Sequence, residues 1–134
     1  MILCAAPEQE TFRICRFRFL SRAVWYIMDS PPACGVSTGI YESMNLSFTR
    51  GDEDASVREN FERFGAAIGV RTSDMVFSRQ THTSNVRIVT EEDRGKGIVC
   101  PVDYDNVDGL VTDVPGLCLV TFYADCVPLF SWIR

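Results

Sequence analysis

Apolar residues recur at intervals of four, three and four at Val57, Phe61, Phe64 and Ile68, which gathers them on one face of a helix, while Arg58, Glu59, Glu62 and Arg63 fall mostly on the other. Asp52 or Asp54 can cap the orphan amides at its start, Ser56 with Glu59 offers an alternative capping box, and Gly69 suits a left-handed stop. Elsewhere the period shortens to two. Residues 13–20 alternate basic with apolar side chains, as a strand with one wet face does, and residues 44–48 alternate between turn-forming clusters at 35–39 and 50–52. Residues 75–77, 86–89 and 108–112 read as short strands between polar or glycine-containing loops. Residues 117–124 are apolar on both faces, which predicts a central strand covered on each side that delivers Asp125 and Cys126 to its C-terminal end. Pro128 cannot donate to a ladder, so whatever follows begins as an edge or after a turn. Residues 22–33 carry no period, and Pro31-Pro32 breaks what precedes it.

Strands outnumber helices, so the pattern predicts an α+β (mixed α/β) fold, a layered domain with a substantial mixed β-sheet and few helices. There is no internal repeat or low-complexity tract, and residues 1–134 read as a single domain. Composition adds limits. At 46% apolar residues a chain of 134 can bury a core without cross-links, and 13 basic against 18 acidic residues leave a net charge of −5 with no basic stripe, which excludes sequence-independent nucleic-acid binding. The opening residues lack the basic and apolar regions of a signal peptide, and no run approaches the ~20 apolar residues of a membrane span, so the expected location is the cytoplasm, with no membrane partner. Six cysteines without export signals or a CxxC pair point to reduced thiols rather than a disulfide framework.

The chemistry centres on two residues. His82, the one histidine of the chain, sits in the polar loop 79–85 between two predicted strands, where an imidazole can serve as metal ligand or general base; the plainer alternative is an exposed loop histidine with no role. Cys126 follows the most hydrophobic strand, where a thiolate can ligate a metal or act as nucleophile; the alternative is a buried thiol serving as a small hydrophobe, for which Cys118 is the more natural example. Asp103, Asp105, Asp108 and Asp113 form an acidic stretch that lacks the distant glutamate of a calcium loop and reads as a solvated loop with turn aspartates. Ser37, Ser47 and Ser84 lie in no Gly-x-Ser-x-Gly elbow, and residues 35–39 lack the lysine and length of a phosphate-binding loop.

Several segments taken in order resemble the YfiH-type laccase-domain (polyphenol oxidase-like) purine nucleoside phosphorylase family. They are Gly35-Val36-Ser37-Thr38-Gly39 running on to Met44-Asn45-Leu46, Arg50-Gly51-Asp52 with Val57 and Asn60 behind it, Gln80-Thr81-His82, Asp108-Gly109-Leu110-Val111-Thr112-Asp113, and Ala124-Asp125-Cys126-Val127-Pro128. The resemblance is clearest over residues 35–130 and implies phosphorolysis of purine nucleosides (adenosine, inosine, guanosine, methylthioadenosine), with adenosine deamination alongside. It further implies a metal, zinc rather than copper, held by His82, Cys126 and a later histidine in a His-x-Gly-Trp-Arg-Gly segment. Two nitrogens and one sulfur with an open fourth position are what a catalytic zinc requires. Purine nucleoside and phosphate are the implied partners, with His82 and Cys126 catalytic and Asn45 and Arg50 binding substrate at the rim; the oligomeric state is not implied.

This chain departs from the family pattern in four places. It is expected to correspond to the N-terminal part of a laccase domain that stops before the third ligand, so that activity is impaired and metal held weakly. The abrupt end at residues 130–134 suits a truncated frame, residues 21–34 are unlike the family's compact turn and read as an insertion or out-of-frame stretch, and Thr83 stands where a glycine commonly follows the motif histidine. Two other functions fit the same residues: an inactive or metal-binding fragment, and a cysteine hydrolase using a Cys126 and His82 pair.

Overall fold

The structure is a computed structural model that describes residues 34–123, 127, 129 and 131, together with the backbone of three strands nearer the N-terminus. Its contacts cluster into two compact units, residues 1–72 and residues 73–134. The mixed α+β class holds: one α-helix and short strands in both antiparallel and parallel pairs. No helix among the described residues is long and apolar enough to cross a membrane.

In the first unit, strands β1 (Cys4–Ala5), β2 (Thr11–Phe19) and β3 (Arg22–Asp29) form an antiparallel sheet in the order β1-β2-β3. The β2–β3 register runs from Phe19↔Arg22 to Ile14↔Ile27 and then shifts to Arg13↔Asp29, a bulge that accommodates one extra residue on β3. The alternation at 13–20 thus marks a real strand. The expectation that 22–33 is irregular is corrected over β3: its sequence Ala-Val-Trp-Tyr-Ile-Met has high strand propensity without alternation, and pairing with β2 supplies its hydrogen bonds.

Helix α1 (Asp54–Ile68) buries Val57, Phe61 and Ile68 as their spacing predicts, each contributing about 1.5–3 kcal/mol from the apolar area it removes from water. Phe48 stacks on Phe61 at 5.9 Å and 16°. Gly69 ends the helix at φ 74°, where the Val70 N–H closes on the Gly65 carbonyl at 2.8 Å. At the other end the expected caps are corrected. Glu53 occupies the N-cap without a side-chain bond, because Asp52 is turned to other partners.

Those partners centre on Asn60, fully buried (0% exposed) on the apolar face of α1. Its Oδ1 accepts the Val36 N–H at 2.8 Å, and its Nδ2 is shared among Ser37 Oγ (2.9 Å), the Asn45 carbonyl (2.9 Å) and the Ser43 carbonyl (3.3 Å). Ser37 Oγ in turn donates to Asp52 Oδ2 at 2.7 Å. This network is why residues 44–48, expected as a strand, are irregular: their backbone groups pair with side chains, and a ladder has nothing left to hold. Gly35 is required in the same wrap, since a Cβ there would lie 1.8 Å from the Ser43 carbonyl oxygen.

In the second unit, β4 (Met75–Phe77) pairs parallel with β7 (Cys118–Val120), and β5 (Val86–Ile88) pairs parallel with β6 (Gly109–Val111). The strand buried throughout is β4, not the 117–124 run; among the described residues of that run only β7 is a strand, and its Leu119 is exposed. The cause is hydrogen bonding on both edges of β4. β7 lines one, and on the other the Gly95 N–H reaches the Met75 carbonyl at 2.9 Å and the Phe77 N–H reaches the Lys96 carbonyl at 3.0 Å. Gly97, at φ 104°, must lack a side chain because a Cβ would sit 2.4 Å from the Phe77 ring.

That flanking segment is held by Asp93, buried to 3% exposure, whose carboxylate accepts from Lys96 Nζ (2.7 Å), Arg87 (3.3 Å) and the Thr90 N–H (2.8 Å). Although burial works against the charge, these donors bring its pKa down to about 2. Arg87 lies over the Tyr104 ring at 4.4 Å, and the Tyr104 hydroxyl donates to the Phe77 carbonyl at 2.5 Å.

Candidate functional site

The loop carrying His82 leaves β4 by changing partners. After the Ser78 N–H bonds to the Val120 carbonyl (3.0 Å), Arg79 exchanges two 3.0 Å backbone hydrogen bonds with Val107, so the chain turns from β7 toward the segment that leads into β6. Arg79 also pairs with Asp105 at 3.1 Å, and Thr81 Oγ1 bonds to Asn106 Oδ1 at 2.7 Å.

Asp108 then organises the tip. Its carboxylate accepts three consecutive backbone N–H groups, from Thr81 (3.2 Å), His82 (2.8 Å) and Thr83 (3.0 Å), together with the Thr83 hydroxyl at 2.7 Å. The Asp108 and Gly109 N–H groups bond back to the Asn85 carbonyl at 3.0 and 3.1 Å. Four donors aimed at one carboxylate, led by the Thr83 hydroxyl, lower its pKa to about 2. To present those amides, His82 adopts φ 62°, a left-handed conformation uncommon outside glycine. The reading of 103–108 as a solvated loop holds for Asp105 and Asp103, which stay exposed while pairing with Arg79 and with Lys96 at 3.0 Å; Asp108 has the added role of anchoring the histidine loop.

His82 is exposed, and its imidazole has no hydrogen-bonding partner among the described residues. Its backbone is fixed, while both carboxylate oxygens of Asp108 are committed to the loop. Cys126 lies outside the described residues. Burial pushes the Cys118 thiol up to about 11, which suits the reading of it as a buried thiol inside a strand. Among the described residues no three His, Cys, Asp or Glu side chains gather where they could hold a metal ion.

Asn45 and Arg50 belong to the first unit. Asn45 spends its side chain locally, donating to Asp52 Oδ2 (3.0 Å) and the Ser47 carbonyl (3.3 Å) and accepting from the Ser47 N–H (3.1 Å). Arg50 is exposed; its carbonyl accepts the Tyr41 hydroxyl at 2.8 Å, and its guanidinium has no partner among the described residues. Sequence reasoning missed Asp108 and the side-chain role of Gln80, whose Oε1 accepts the Phe122 N–H at 2.9 Å. The usable signal was the aspartate standing directly before a strand, opposite a polar loop.

Comparison with known proteins gives a consistent set. Residues 31–132 match the family described as multi-copper polyphenol oxidoreductase laccase. Purine nucleoside phosphorylase YlmD of Bacillus subtilis (strain 168) is 37% identical over 102 residues, which cover 73% of this chain and 36% of that protein. The crystal structure of the Bacillus licheniformis hypothetical protein YfiH aligns with a TM-score of 0.61 and 28% identity, covering 67% of this chain and 34% of the other. YlmD from Geobacillus stearothermophilus aligns with a TM-score of 0.57 and 30% identity at the same coverage. The chain spans about a third of the length of the relatives it matches.

Proposed function

The chain belongs to the YfiH-type laccase-domain family, and on that premise we propose that it carries part of the site of a purine nucleoside phosphorylase. The reaction joins phosphate to the ribose of a purine nucleoside and releases the base. The observation that carries this reading is the presentation of His82: at the Gln-x-His position the backbone is fixed by Asp108 and the imidazole is left free.

His82 and Cys126 would hold the metal, with Asn45 and Arg50 contributing to substrate binding. An imidazole and a thiolate are a ligand pair that suits zinc. Zinc held there would supply Lewis acidity and an activated water, chemistry that would also suit adenosine deamination as a companion activity. The chain's own contribution is orientation: Asp108 holds the His82 backbone, so only the side-chain torsions remain to be ordered when ligand arrives. The free, exposed guanidinium of Arg50 is suited to an anionic substrate such as phosphate. The proposed partners are a purine nucleoside and phosphate.

A second reading, a metal-binding module without turnover, needs only the exposed imidazole of His82 together with the Cys126 thiolate. Phosphate-dependent release of hypoxanthine from inosine separates the two, measured for the chain alone and for the chain joined to the remaining two thirds of Bacillus subtilis YlmD. Release that His82→Ala and Cys126→Ser each abolish supports the phosphorylase. No release from the joined protein, with zinc bound, leaves the metal-binding module.

A further inference from the structure

The parallel ladder between β4 and β7 ends at the Ser78 to Val120 hydrogen bond, where the chain turns away toward Val107. The next inward donor on the β7 side is the Phe122 N–H, and it is met by the side-chain carbonyl of Gln80 at 2.9 Å, across 42 residues of sequence. Gln80 thus takes the place of a backbone carbonyl that the turn has removed. The apolar half of the same junction is the edge-on contact of Phe122 with Phe77, at 5.4 Å between ring centres. On the other side of Gln80, two residues on, His82 is fastened by Asp108. Hydrogen bonds therefore run from the segment after β7 through Gln80 to the histidine loop, and from that loop to the start of β6.

We propose that Gln80 is a positioning residue that holds the end of β7 and the His82 loop in one register. The inference rests on the reading of His82 as a metal ligand. Gln80 touches no metal; it fixes where the imidazole stands relative to the strand end. Outer residues that orient a ligand typically change metal affinity by about 10–100-fold when removed, and that is the size of effect assigned here.

The test uses the whole chain with zinc alone as probe, in Gln80→Met, which keeps the length and removes the acceptor, and in Gln80→Glu, which keeps an acceptor. Gln80→Met is expected to speed amide exchange at Phe122 by at least about 10-fold and to weaken zinc binding by about 10–100-fold, with the thermal midpoint held within about 2 °C. Gln80→Glu is expected to restore both. Unchanged exchange at Phe122 would overturn the hydrogen bond itself, and faster exchange with unchanged zinc affinity would overturn the positioning role. Zinc affinity indifferent to His82→Ala would sink the ligand reading instead, and it is told apart because the exchange at Phe122 still answers to Gln80→Met.

Discussion

The Asn60 network of the first unit and the Asp108 network of the second use one device in opposite surroundings. In each, a single side chain bonds to several groups from a loop that is irregular for that reason. Asn60 does so under full burial, where water cannot replace a lost partner, so its bonds decide whether residues 35–47 have a unique path at all. Asp108 does so at the surface, where water competes for every donor. What it gains is geometric: a left-handed His82 with a free ring. One network stabilises, and the other presents a side chain.

The largest effect is expected where the buried network is broken. Asn60→Ala leaves the Val36 N–H and the Ser37 hydroxyl short of a partner and should cost about 3–4 kcal/mol in urea unfolding. A loss below about 1 kcal/mol would mean that water replaces the amide, and the contrast with Asp108 would vanish.

Asp93→Asn comes next, at about 2–3 kcal/mol, because it leaves the largely buried Lys96 ammonium without its closest carboxylate. Its pH signature is specific. Folding lowers the Asp93 pKa from an ordinary value near 3.8 to about 2, so its stabilisation is complete above pH 4 and is lost as the pH falls from about 4 to about 2. In Asp93→Asn the acid limb of the stability profile should flatten in that window.

For the surface network the readout changes from stability to ligand. Asp108→Asn keeps the shape but weakens the acceptor, and zinc affinity should fall about 10-fold or more while the unfolding midpoint moves little. A large drop in stability with zinc affinity intact would place Asp108 with Asn60 instead. The smallest effect carries the opposite sign: His82→Gly relieves a left-handed conformation and should raise stability by about 1 kcal/mol while removing the proposed ligand.

Much of the fold was legible because it rests on local signals. The spacing of Val57, Phe61 and Ile68 drew α1, Gly69 marked its end, and the short apolar runs at 75–77, 86–88 and 109–111 are strands. Pairing by partner was not legible. β3 has no alternation to detect, and 117–124 looked central because apolarity on both faces does not say which strand has hydrogen bonds on both edges. At the site, His82 was found from residue type and loop position. Asp108 and Gln80 were not, since their roles come from groups 25 to 42 residues away that only folding brings near. Asp52 shows the same limit, because a carboxylate before a helix reads as a cap until a distant hydroxyl such as Ser37 claims it.

The three amides of Thr81, His82 and Thr83 make the kind of concave cradle that in many proteins receives an external anion. Here the cradle arrives already filled by a carboxylate from the same chain, so inorganic phosphate finds no vacancy among those N–H groups. Under the proposed phosphorolysis the incoming oxyanion would have to be met by cationic side chains, for which the exposed Arg50 is a candidate.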